Sequence, residues 1–225
     1  MTEPITVDIW SDIACPWCYI GKRRFEAGRA AFAEDPSAPE VTVRYHSFEL
    51  APDTPVDFDG SEEDFLVAHK QLPADRVKQM LAQVTDIAAT VGLTYDYDRL
   101  QHTNTVKAHE LLHFAADKGR QLEMLERLMS AYFTEGRHVG RIDDLAELAA
   151  EAGLDRDEAA QALREERYLD AVRADQQQAA AYGINGVPFF VIDGAYGVSG
   201  AQEAATFADV LRQVAENREA SSVDA

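Results

Sequence analysis

The chain has 225 residues, 46% of them hydrophobic, with 40 acidic against 21 basic side chains and a formal net charge of -19. That length and apolar share suffice for one large domain, or a small domain with an insertion, without a disulfide or metal staple. The acidic balance argues against sequence-independent binding to nucleic acid or to an anionic membrane surface, and no run of about 18 apolar residues marks a membrane span.

The first four residues have no basic region and no apolar stretch, so no secretory signal is expected and the predicted setting is the cytoplasm. Ile5, Val7 and Ile9 alternate with polar residues and lead into Trp10, a core-facing strand. A helix is predicted from about Cys15 to Ala33, with Ser11 or Asp12 as cap and Lys22-Arg23-Arg24 on its solvated back. Val41, Val43 and Tyr45 predict a second strand, parallel to the first because a helix connects them.

From Ser61 to Tyr182 the apolar spacing is helical, as in Val77, Met80, Leu81, Val84, Ile87, Ala88 and Val91 before Gly92. Further helices are expected at about 105–117, 122–133, 142–152, 156–163 and 166–181, and Asp155 with Glu158 has the spacing of a capping box. Tyr95-Asp96-Tyr97-Asp98 reads as a loop between helices. Beyond Gly183 the pattern returns to strand: Phe189 to Ile192, a hairpin turn at Asp193-Gly194, Tyr196 to Ser199, and a last helix with Phe207, Val210, Leu211 and Val214 on one face. The expected layout is therefore residues 1–60, a helical insertion over 61–182, and 183–225 completing the first part.

The two cysteines of the chain, Cys15 and Cys18, stand three residues apart where strand gives way to helix. On a helix these positions share a face with Cα atoms about 5 Å apart, within reach of a disulfide. The free amides of the first turn and the helix dipole favour a thiolate at Cys15, the exposed thiol and candidate nucleophile; Cys18, one turn further in and shielded, is placed to resolve a mixed disulfide. Pro16 suits the first turn, where its missing N–H would have no helical partner. In a reducing compartment such a pair is transient and catalytic more often than structural. Half of a zinc site would need two further ligands, which only histidines could supply. A rival motif, His109-Glu110-Leu111-Leu112-His113, fits the H-E-x-x-H spacing of a zinc metalloprotease, although no third histidine stands at a diagnostic distance.

Cys15-Pro16-Trp17-Cys18-Tyr19, Phe48-Glu49-Leu50, Asn104-Thr105 with Ala108-His109, Gly186-Val187-Pro188-Phe189-Phe190 and Val198-Ser199-Gly200-Ala201-Gln202 together resemble the DsbA family of thiol-disulfide oxidoreductases, in its FrnE-like, polyketide-associated branch. The resemblance implies an α/β chain with a thioredoxin fold, core strand order second, first, third, fourth, and an all-helical insertion between its second and third core strands. It implies that Val187-Pro188 is a cis bond facing the cysteines and offering backbone to substrate, and it places His109 toward the active-site groove. It implies no cofactor and no metal, a thiol or disulfide substrate, with glutathione or a polyketide-like small molecule as candidates, and it allows a homodimer. The branch is also similar to 2-hydroxychromene-2-carboxylate isomerases and kappa-class glutathione transferases, which carry serine where this chain has Cys15. A glutathione-dependent isomerase or transferase is therefore the alternative reading.

Overall fold

The computed structural model describes residues 3–223. The chain begins with β1 (Ile5–Ser11), α1 (Pro16–Phe32) and β2 (Val41–Ser47). Seven helices follow: α2 (Glu62–Lys70), α3 (Ala74–Thr90), α4 (Val106–Asp117), α5 (Gln121–Phe133), α6 (Ile142–Glu151), α7 (Arg156–Arg164) and α8 (Leu169–Ala181). It closes with β3 (Phe189–Ile192), β4 (Tyr196–Ser199) and α9 (Ala204–Val223). The sheet order is β2-β1-β3-β4, with β1 parallel to β2 and antiparallel to β3, as the sequence predicts for a thioredoxin fold.

Alternation along β1 assigns its two faces to different partners. Ile5, Val7 and Ile9 join the main core, whose aromatic centre is Phe25 of α1, Phe190 of β3 and Phe207 of α9, with ring centroids 4.6–5.5 Å apart. Trp10 points the other way, against Ala179 of α8, Ile184 and Val191. The main core runs without a break into the helices through Leu111, Leu128 and Leu148, so the sheet and the inserted helices share apolar contact.

Local signals account for the departures from expectation. Glu166 has a left-handed backbone (φ 53°), which delays α8 to Leu169. Glu158 N donates to Asp155 Oδ1 at 2.8 Å, but the Glu158 carboxylate takes Lys118 as its partner, so only half of the expected capping box forms there. A complete one caps α2 instead, between Ser61 and Asp64. Neither Ser11 nor Asp12 caps α1; its N-cap residue is Cys15 itself. Lys22 is not on a solvated face. Its side chain is 4% exposed and its Nζ lies 2.6 Å from both Glu26 and Glu126, while Arg23 also reaches Glu126, tying α1 to α5.

The seam between α1 and α9 depends on a residue without a side chain. A Cβ at Gly28 would lie 2.5 Å from the Ala204 carbonyl oxygen and 2.7 Å from Phe207 Cβ, distances no real Cβ tolerates. Gly28→Ala should therefore destabilise the protein by about 1–3 kcal/mol through overpacking, read from urea unfolding. A change below about 0.5 kcal/mol would mean that the seam is loose.

A second tie joins α8 to the sheet. His46 on β2 places Nδ1 2.7 Å from Asp175 Oδ1 and Nε2 2.7 Å from Asp8 Oδ1, and Asp175 also accepts from Ser47 N. Burial opposes the charge on His46, but the two carboxylates outweigh it and raise the imidazole above its ordinary 6.5. Burial likewise opposes charge on Asp175, yet His113, His46 and Ser47 hold it below its ordinary 3.8. Stabilisation from His46 is thus complete below 6.5 and is lost as pH rises through the raised value, while that from Asp175 is lost only as pH falls through its lowered one. His46→Gln should lower the urea midpoint more at pH 5 than at pH 9; equal losses would show that the imidazolium contributes nothing.

Candidate active site

The β1–α1 junction brings both sulfurs to one place. Cys15 is extended (φ -89°, ψ 114°) and Pro16 begins the helix, with Cys18 N donating to Cys15 O at 3.0 Å. Both cysteines are free thiols. Cys15 is 4% exposed and Cys18 2%, so the nucleophile candidate is recessed rather than open as the sequence suggested. The Val187–Pro188 bond is cis, and the Cys15 thiol donates to Val187 O at 3.7 Å. Pro188 can approach because residue 21 is glycine: a Cβ there would stand 2.9 Å from Pro188 Cγ.

The two thiols differ in their surroundings. Burial pushes the Cys18 thiol well above its ordinary value, and the adjacent Cys15 sulfur pushes it further; contacts with Ser11 and the Asp12 backbone only partly offset this. Cys18 therefore remains protonated, while Cys15 occupies the N-cap of α1.

Beneath the pair lies Asp12, which sequence reasoning considered only as a cap. Its Oδ2 accepts from Leu50 N at 2.8 Å and its Oδ1 lies 3.3 Å from His109 Nε2. Burial alone would raise this carboxyl, but His109, Leu50 N and Thr105 hold it below its ordinary value. His109 is 1% exposed and sits behind Asp12, outside the groove it was expected to face. Tyr95, read from sequence as plain loop, is buried and donates its hydroxyl to Pro16 O at 2.7 Å. Nothing in its local spacing distinguishes it from the rest of that loop.

A cleft of about 380 Å³ opens beside Cys15, between the sheet and the inserted helices. Exposed Trp17 and Leu50 stand at its rim, and Phe65, Met80, Leu81 and Val84 form an apolar wall. The H-E-x-x-H residues are not gathered as zinc ligands would be. His109 faces Asp12, His113 Nε2 lies 3.0 Å from Asp175, and buried Glu110 pairs with Lys107 at 2.8 Å. Among the described residues no group of three or more His, Cys, Asp and Glu side chains could hold a metal ion. No helix among them is long and apolar enough to cross a membrane.

A C-x-x-C pair opening the helix after the first strand, faced by a cis X-Pro carbonyl on a sheet of this order, defines a thioredoxin-fold protein with a dithiol site. Comparison narrows the class: a family model described as a DSBA-like thioredoxin domain matches residues 6–212. The chain belongs to that family, in agreement with the resemblance carried by its motifs. It is 30% identical over 192 residues to the uncharacterized protein YwbO of Bacillus subtilis strain 168, covering 84% of this chain and 86% of that one. It is 40% identical to a probable DsbA oxidoreductase of Streptomyces coelicolor of known structure, with a TM-score of 0.85 over 93% of this chain and 89% of that one. The cytosolic disulfide reductase DsbM of Pseudomonas aeruginosa, solved with glutathione, shares the fold at 21% identity, with a TM-score of 0.60 over 95% of this chain and 98% of that one.

The different environments of the two sulfurs predict an order of labelling. With the dithiol protein at neutral pH, iodoacetamide should modify Cys15 first, with Cys18 slower by about a hundredfold, since burial holds Cys18 as a thiol and Cys15 is the one that borders the cleft. Peptide mapping of partly labelled protein checks this; Cys18 labelled first would reverse the assignment.

Proposed function

We propose that this protein is a thiol-disulfide oxidoreductase in which Cys15 is the nucleophile and Cys18 the resolving thiol. The observation that carries the reading is the asymmetry of the pair. One sulfur borders a cleft at a helix N-terminus, and the other is shielded one turn inside and held as a thiol by burial. In the reducing sense, the Cys15 thiolate attacks one sulfur of a disulfide and releases the other as a thiolate. Cys18 then gives up its proton and attacks Cys15, freeing the second substrate sulfur and leaving a Cys15–Cys18 disulfide. Two electrons pass from the protein to the substrate, and the two protons lost by the cysteines accompany the departing thiolates. The same steps run backward when the partner is the better reductant.

Pro16 and Trp17 shape the motif, Val187 and Pro188 present backbone to the substrate, and His109 acts through Asp12 as a positioning residue. A cytoplasmic setting suits the reading, because there the pair is reduced and available. Glutathione is one small-thiol partner this reading admits, and the apolar cleft suits a small organic substrate of the polyketide-like kind that the family branch implies.

Insulin reduction with dithiothreitol as electron source tests the proposal. Wild type should accelerate precipitation, Cys15→Ser should abolish turnover, and Cys18→Ser should accumulate a mixed disulfide on Cys15 visible by mass spectrometry. Full reductase activity in Cys15→Ser would overturn the assignment. An inactive wild type together with glutathione-dependent isomerase activity kept in Cys15→Ser would favour the isomerase reading, in which serine suffices at that position.

A further inference from the structure

The cleft is not uniformly apolar: Glu62, Tyr97 and His102 also line it. Glu62 of α2 is buried and its Oε2 lies 2.7 Å from His102 Nδ1. A carboxylate at Nδ1 draws the ring proton to that nitrogen, which leaves Nε2 of the neutral imidazole as an acceptor. His102 Nε2 is buried and has no hydrogen-bond partner among the described residues. The Tyr97 hydroxyl, on the same cleft, is also buried without a partner. Burial, and then the charges of Glu62 and Cys15, push the Tyr97 phenol well above its ordinary value, so it stays protonated and can donate.

A buried polar atom without a partner is costly, and a pair of them in a ligand-sized cleft is the mark of groups waiting for a ligand. One is a donor and the other an acceptor, the complement of a hydroxyl, which accepts and donates at once. The rest of the lining selects the body that carries this hydroxyl. Phe65 stacks on His102 with centroids 3.7 Å apart and on His69 at 5.1 Å, a tier of flat rings suited to an aromatic ligand. Phe65 and His69 both line the cleft.

We infer that the cleft recognises a small aromatic thiol or disulfide carrying a phenolic hydroxyl, held between the Tyr97 hydroxyl and His102 Nε2, with Glu62 fixing the imidazole. The inference rests on the dithiol reading above and names its substrate class. For a diaryl disulfide, the Cys15 thiolate displaces one aryl thiolate and Cys18 releases the other, with both electrons coming from the protein dithiol and a proton reaching each product.

Binding is measured apart from chemistry with two unreactive probes, 4-(methylthio)phenol and methyl phenyl sulfide, by calorimetry on the dithiol protein. The phenol should bind at least ~10-fold more tightly, as one or two buried hydrogen bonds allow, and Tyr97→Phe and His102→Leu should each bring the ratio close to one. No preference in wild type, or a preference unchanged in both variants, overturns the subsite. Should His102→Leu fail to fold, as circular dichroism would report, Tyr97→Phe decides alone, since it removes a single unpartnered oxygen. Single-turnover reduction of bis(4-hydroxyphenyl) disulfide and of diphenyl disulfide separates the two readings. Reduction of both without discrimination beyond their rates with free dithiothreitol sinks the subsite and leaves the dithiol reading standing. A phenol preference in binding with no disulfide reduced by wild type upholds the subsite and sinks the dithiol reading.

Discussion

Everything at the thiol pair depends on how closely α1 is held. The helix begins at the two sulfurs, so any shift along its length moves them. Its exact seat comes from the two places where side chains are missing: at Gly21 the Pro188 ring reaches the helix backbone, and at Gly28 the first turn of α9 does. Close approach of this kind converts dispersion contacts into position, because a packed interface has few alternative arrangements. Seating α1 against Pro188 is also what sets the Val187 carbonyl over Cys15.

Charge completes what packing begins. The chain is strongly acidic, and two of its basic residues gather on one carboxylate. Lys22 and Arg23 converge on Glu126, which also accepts from the Tyr19 hydroxyl at 2.6 Å. Burial disfavours the Glu126 carboxylate, and these donors more than compensate, keeping it below its ordinary value. Buried Lys22 without that acid would keep only the carboxylate of Glu26 on its own helix, so the network specifies how α5 meets α1 more than it adds stability. Asp12 and His109 make a second polar link, from the inserted α4 to the loop just ahead of Cys15. The inserted helices thus hold the dithiol from behind as well as forming one wall of the cleft before it.

Much of this was legible in the residues. Hydrophobic period separated strand from helix, because a period of two and one of 3.6 are the direct imprint of which faces are buried. The parallel pair joined by a helix and the hairpin at Asp193-Gly194, whose φ angles are both positive, were readable locally, while the full order β2-β1-β3-β4 came with the family resemblance. The cysteine pair identified itself by spacing and by its place at the start of a helix, both local properties. The motifs around Pro188 pointed to the family because they lie in short contiguous runs.

What only the tertiary structure decided are the relations between residues far apart in the chain. Lys22 looks like a solvated lysine until Glu126, more than a hundred positions away, is brought to 2.6 Å. Cys15 was expected in the open because its own helix exposes that end, but the Val187 loop and the inserted helices close over it. His109 and His113 share a helix and a motif, yet fold hands one to Asp12 and the other to Asp175. Glu62, Tyr97 and His102 carry no signature at all, since a site assembled from a helix start and two loop positions has no fixed spacing to read. Sequence by itself determined the elements, the cysteine pair and the family, because these are written in periods and adjacent residues. Burial, electrostatic partnership and the polar corner of the cleft were left to the fold, because they exist only once distant segments meet.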